Sequence, residues 1–139
     1  MEIKQLCDVV RETGFAIHRY LRHGHLEKVY ENALAHRLRK QGILVVQQPP
    51  INVFDEDGTV LGDYFADLFV QDQLIVEAKA CKAIADEHIA QILGYLRASR
   101  KEHGLLLNFG APRFQARKFI LTEDWRRPDT EDMEGEVNL

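Results

Sequence analysis

Asp67, Glu77 and Lys79 are the side chains whose types and spacing suit catalysis best in this chain. Glu77 and Lys79 lie two residues apart in the run Leu-Ile-Val-Glu-Ala-Lys at 74–79, so an extended chain puts both on one face. Asp67 belongs to the preceding apolar run, and Gln71-Asp72-Gln73 form the turn between the two. A three-residue turn sets Asp67 directly opposite Glu77 in an antiparallel pair, whereas a two-residue turn without a bulge would send the acids to opposite faces. Carboxylates so placed raise each other's proton affinity unless a cation sits between them. Hard oxygen ligands without clustered Cys or His favour Mg²⁺ or Mn²⁺ over zinc. Such an ion polarises a phosphoryl oxygen and acidifies the attacking water, while Lys79 holds or deprotonates that water and offsets charge on the phosphate. A solvated cross-strand ion cluster is the plainer alternative, because surface ion pairs are common and nearly neutral in energy. A Schiff-base role for Lys79 is a further alternative.

These residues need a sheet and covering helices to hold them. Ile3, Leu6, Val10, Ile17, Tyr20 and Leu21 recur at helical spacing and predict an amphipathic helix over 3–22, with Gly14 as a weak point. His23-Gly24-His25 interrupts the pattern, and a second stripe from Leu26 to Leu38 predicts a helix ended by Gly42. An edge strand interrupted or ended at Pro49 and Pro50 follows. Asp55-Glu56-Asp57-Gly58 reads as a tight turn, with strands over 60–70 and 74–80 after it. A helix over 83–100 then leads to the continuous apolar run 105–109, so the strands at 74–80 and 105–109 should be parallel. A last strand is expected within 114–121.

The expected fold is a mixed α/β (α+β) domain: a helix pair, a β-meander, a crossover helix and a parallel strand. Its limits are 1–122, followed by an acidic, mobile stretch at 123–139 whose start Trp125 pins to the body. The chain has 139 residues, enough to bury roughly two-thirds of its unfolded surface in one domain. Its formal charge of -4 is unevenly spread. Residues 123–139 hold seven acids and two bases, leaving fifteen acids and sixteen bases in 1–122. A near-neutral body argues against tight non-specific nucleic-acid binding by charge alone, but permits a phosphate-rich substrate. Basic residues grouped at 37–40, 97–101 and 113–118 would suit a backbone groove or simply solvated helix ends. Cys7 and Cys81 match no paired zinc spacing, and the six histidines form no zinc pattern. Without a signal-like or membrane-length apolar segment, a cytoplasmic protein with no membrane association is expected.

Two more groups bear on the site. Glu27 opens the second helix, where the macrodipole favours an acid whatever its function. Gln91 and Tyr95 lie four apart on the crossover helix and share a face from which they could orient a phosphate or the Lys79 amine. Taken together, Asp67, Glu77-Ala78-Lys79 and Gln91-Ile-Leu-Gly-Tyr95 resemble the Asp…Glu-x-Lys…Gln-x-x-x-Tyr pattern of the PD-(D/E)xK nuclease superfamily, with its restriction-endonuclease-like core. Ala66 stands where the superfamily's name has Pro. Gly24 to Tyr30 resembles the signature of the GxxExxY family, which shares that core.

The resemblance spans about residues 3–121. It implies metal ligation by Glu27, Asp67, Glu77 and the backbone carbonyl of Ala78, with Lys79 activating water. Gln91, Tyr95 and Tyr30 would line the site. The activity implied is Mg²⁺- or Mn²⁺-dependent hydrolysis of phosphodiester bonds in nucleic acid, with DNA the expected substrate. The alternative is a non-catalytic module that keeps the fold for binding or assembly, for instance as a homodimer.

Overall fold

The computed structural model describes residues 1–121 and Val137–Asn138. Helix α1 spans Ile3–Leu21 and buries Leu6, Val10 and Ile17. It runs uninterrupted through Gly14, where a Cβ would come within 2.8 Å of the Phe114 ring, so glycine here makes room for an aromatic side chain. Helix α2 spans Glu27–Lys40. Gly42 closes it at φ 77°, with its N–H on the Arg39 carbonyl and the Ile43 N–H on the Leu38 carbonyl. That double closure is a Schellman motif, which explains the expected stop.

Among the described residues, six strands form the main sheet in the order β1-β4-β5-β6-β7-β8: β1 (Val45–Gln47), β4 (Leu68–Val70), β5 (Leu74–Lys79), β6 (His103–Asn108), β7 (Gln115–Ile120) and β8 (Val137–Asn138). β5 and β6 are parallel and the other pairs antiparallel. Helix α3 (Asp86–Ser99) makes the crossover between β5 and β6. It begins at Asp86, after the expected residue 83, where the Ala85 N–H donates to His88 Nδ1. One face of the sheet buries Leu74, Val76, Leu105 and Leu107 against α1 and α2. The other buries Ile75 and Leu106 against Ile92 and Leu96 of α3.

The expected strand 60–70 is instead two strands in two sheets. β2 (Pro50–Phe54) and β3 (Val60–Phe65) make a separate hairpin, while β4 joins the main sheet. The break falls at Ala66 and Asp67, where the Ala66 N–H bonds the Pro49 carbonyl and the Gln48 N–H bonds the Asp67 carbonyl. Both chains turn away together here: Pro49 has no N–H to continue a ladder, and Gln48 sits at φ 54°. The hairpin thereby lies on the α3 side, with Ile51 and Ala66 in the same core as Tyr95 and Leu96.

Of the acidic stretch 123–139, all but Val137–Asn138 lies outside the described residues, including Trp125. Val137–Asn138 pairs with Arg117 and Lys118. Cys7 and Cys81 are free thiols. Among the described residues, no helix is long and apolar enough to cross a membrane.

Candidate active site

The site forms where β4 parts from the hairpin. Pairing of Val70 with Leu74 and Leu68 with Val76 gives the three-residue turn and places Asp67 across from Glu77, as the spacing predicts. The two acids interlock through the backbone. The Asp67 N–H donates to Glu77 Oε2 at 2.6 Å, and the Ala78 N–H donates to Asp67 Oδ2 at 2.8 Å. Each carboxylate thus commits one oxygen to a backbone amide and keeps the other for a further partner.

The surroundings make charge costly here. Glu77 is only 3% exposed. Burial, then the charge of Asp67, push its pKa up to about 8, partly opposed by the Asp67 N–H and Lys79. Burial likewise pushes Asp67 up to about 6, opposed by the Ala78 N–H and Lys79 and assisted by Glu31 and Glu27. Such a pair is poised to lose its protons to a cation.

Lys79 reaches the same place from β5. Its Nζ donates to Gln91 Oε1 at 2.8 Å and lies 4.0 Å from Glu77 Oε1. This polar setting is unlike the desolvated apolar pocket that activates a Schiff-base lysine. Tyr95 of α3 is 7% exposed, and its ring lies 5.4 Å from that of Tyr64 on β3. Burial and the charges of Glu77 and Asp67 push its hydroxyl up to about 12, so it stays a proton donor at neutral pH.

The Ala78 carbonyl lies on the same strand edge as its N–H, which meets Asp67. The Phe109 N–H bonds the Lys79 carbonyl, so Lys79 points its backbone groups toward β6. Alternation then turns those of Ala78 to the opposite edge, where its N–H meets Asp67 and β4 has already ended at Leu68.

Glu27 approaches this cluster from α2. It is exposed in the first turn of α2 and is sensed by Asp67 and Glu77 only through its charge. Among the described residues, no three His, Cys, Asp or Glu side chains stand together as a ready metal cage. Tyr30 is wholly buried, so it does not line the site. Its ring stacks on Phe109 at 4.7 Å, and its hydroxyl donates to the Arg22 carbonyl and accepts from the His25 N–H. Together with Gly24 at φ 115°, it fixes the loop that aims the start of α2.

Glu31 was not singled out in the sequence and is the residue most tightly built into the site's flank. It is 3% exposed and accepts from Lys28 Nζ at 2.9 Å, Gln47 Nε2 at 2.8 Å and Gln48 Nε2 at 2.9 Å. Its four-residue spacing from Glu27 and the Gln47-Gln48 pair were the available signals. Asn108 closes the end of β5, holding the Cys81 N–H and carbonyl and the Gly110 N–H with its one amide.

A family model described as the PD-(D/E)XK nuclease superfamily matches residues 4–119. The chain belongs to that superfamily. The mixed sheet with its crossover helix is consistent with the restriction-endonuclease-like fold. Divalent metals usually serve PD-(D/E)XK nucleases, and the oxygen donors of Asp67, Glu77 and Ala78 are chemically suited to Mg²⁺ or Mn²⁺. No curated protein and no solved structure matches the chain significantly.

Proposed function

We propose that residues 1–122 form the catalytic domain of a cytoplasmic, metal-dependent nuclease that hydrolyses phosphodiester bonds in DNA, within the GxxExxY group of the superfamily. The observation that carries this reading is the buried Asp67–Glu77 pair with the Lys79 amine beside it. Asp67 and Glu77 would hold Mg²⁺ or Mn²⁺ through the oxygens left free of backbone amides, with the Ala78 carbonyl as a neutral ligand. A bound ion of this kind supplies phosphoryl polarisation and a lowered pKa for the attacking water.

The chain's own groups do the rest. Gln91 steers the Lys79 amine, which holds the attacking water and counters charge on the phosphate. Tyr95 donates its hydroxyl proton as a hydrogen bond to a phosphate oxygen. Glu27 attracts the ion's outer waters from the helix side. The Gly24, Glu27 and Tyr30 spacing supports the GxxExxY assignment, because each has a distinct part in presenting the start of α2.

The test is cleavage of single-stranded, nicked and branched DNA with Mg²⁺ or Mn²⁺ by the wild type, Asp67→Ala and Lys79→Ala. Activity confined to the wild type supports the reading, and equal activity in all three identifies a contaminant. The exposed apolar side chains of β3, Leu61 and Phe65, favour a second reading, a non-catalytic binding module. Calorimetry decides between them: no Mg²⁺ or Mn²⁺ uptake at millimolar concentration, with partner binding intact in EDTA, selects the module.

A further inference from the structure

Two clefts lie beside α3, between it and the β2–β3 hairpin. The wider, about 740 Å³, lies between the hairpin and the helix and is bordered by Tyr64, Phe54, Gly94, Arg97 and Ala98. The second, about 270 Å³, is bordered by Phe54 and Ala98 again, then Pro49, Phe69, Ile75 and Lys101. Phe54 and Ala98 belong to both, so the two clefts adjoin. Tyr64, which borders the wider cleft, packs its ring 5.4 Å from that of Tyr95, on the helix that also carries Gln91, the partner of Lys79.

Rings and cations both border these clefts. Tyr64 is 48% and Phe54 56% exposed, unusual for aromatic side chains on a short hairpin. Arg97 borders the same cleft as Tyr64, and Lys101 Nζ lies 5.2 Å from the Phe69 ring centre. Exposed rings beside cations suit splayed nucleotides, whose π-faces stack on aromatic groups while their phosphates meet the cations. A duplex hides those faces in its own stack and must be held largely by charge. This protein offers little net charge for that purpose: residues 1–122 carry sixteen bases against fifteen acids, and Asp55 and Glu56 border the wider cleft.

We propose that the adjoining clefts beside α3 bind single-stranded DNA, with bases stacked on Tyr64 and Phe54 and the backbone passing Arg97 toward the candidate active site. The inference rests on the nuclease reading and specifies its substrate as an unpaired strand or end. The hairpin would thus act as a reader of strandedness, with stacking in place of sequence-specific contacts.

Fluorescence anisotropy in EDTA, at fixed salt, tests this on the full chain with labelled oligothymidylate and with a duplex of the same length. The single strand should bind more tightly. Tyr64→Leu and Phe54→Leu, which keep an apolar side chain but remove the ring, should each weaken single-strand binding by about 5- to 100-fold, whereas Tyr64→Trp should keep it. Unchanged thermal unfolding would show that these exposed positions leave the fold intact. Equal affinity for duplex and single strand, or Leu variants that bind like the wild type, would overturn the inference. So would variants that convert a dimer to a monomer in sedimentation without altering single-strand affinity, because the rings would then serve a second copy. Metal-dependent cleavage of duplex that ignores Tyr64 would sink the strandedness inference and leave the nuclease reading standing. Ring-dependent single-strand binding without any cleavage would do the reverse.

Discussion

Replacing Glu77 by Gln should stabilise the protein in EDTA at neutral pH while removing its response to Mg²⁺. Glu77 has an ordinary pKa of 4.5 and is held near 8 in the folded chain, chiefly by burial and by the adjacent Asp67. A raised folded-state pKa means that the native state binds more protons than the unfolded one, so stability falls as pH rises through this window. The penalty is absent below about pH 4, grows toward pH 8 and then levels off. Between the ordinary value and pH 7 lie about 2.5 pH units at about 1.4 kcal/mol each, an effect on the order of 3 kcal/mol. Gln retains an oxygen for the Asp67 N–H, so the 2.6 Å hydrogen bond need not be lost with the charge.

Urea unfolding reads this directly. With a slope of about 2 kcal/mol per M, Glu77→Gln should raise the midpoint by about 1.5 M at pH 7 in EDTA and by little at pH 4. Saturating Mg²⁺, at about a hundred times its dissociation constant, should add about 2.7 kcal/mol to the wild type and little to the variant. If the two proteins unfold together at pH 7 in EDTA, the buried-pair account is wrong. If Mg²⁺ stabilises both equally, the ion binds elsewhere.

Four further substitutions have outcomes set by named contacts. Lys79→Ala should lower kcat for DNA cleavage by about 10²- to 10⁴-fold, and Gln91→Ala, which frees the amine without removing it, should cost less; steady-state kinetics in Mg²⁺ separates them. Glu31→Ala leaves Gln47 and Gln48 without their shared acceptor and should cost about 1–3 kcal/mol in chemical denaturation. The same change removes one charge acting on Asp67, so the Asp67 titration followed by carboxyl NMR should move down. Gly110→Ala places a Cβ within 2.2 Å of the Cys81 nitrogen and should destabilise by about 3 kcal/mol or more, seen as a large drop in Tm.

The elements that carry long periodic patterns were legible from the residues alone. α1, α2, the strand of Glu77 and the crossover to a parallel β6 all follow from local spacing, and the turn at 71–73 correctly sets Asp67 against Glu77. The split at Ala66 and Asp67 was not legible, because it depends on Pro49 and Gln48 offering their backbone groups from another part of the chain. Gly14 read as a flaw because its reason, the ring of Phe114, lies far along the sequence. Glu31 was passed over, since the two glutamines that bury it lie in a later strand and loop. Tyr30 read as a site residue, while its packing on Phe109 and its bonds to Arg22 and His25 make it a brace.

The three-residue turn between β4 and β5 makes the site depend on parity. Gln71 and Asp72 both occupy positive φ, at 53° and 55°, so the turn's geometry rests on backbone form more than on side-chain identity. Substitutions that tolerate this form leave Asp67 and Glu77 opposed. Adding or removing a single residue does something different: every side chain after the turn changes face, and the acids part while the apolar residues of β5 exchange cores. Length changes at this turn are therefore quantised. The turn can accept any letters that tolerate positive φ, Gly, Asn and Asp above all, but can be lengthened only in steps of two, or with a bulge that restores the count.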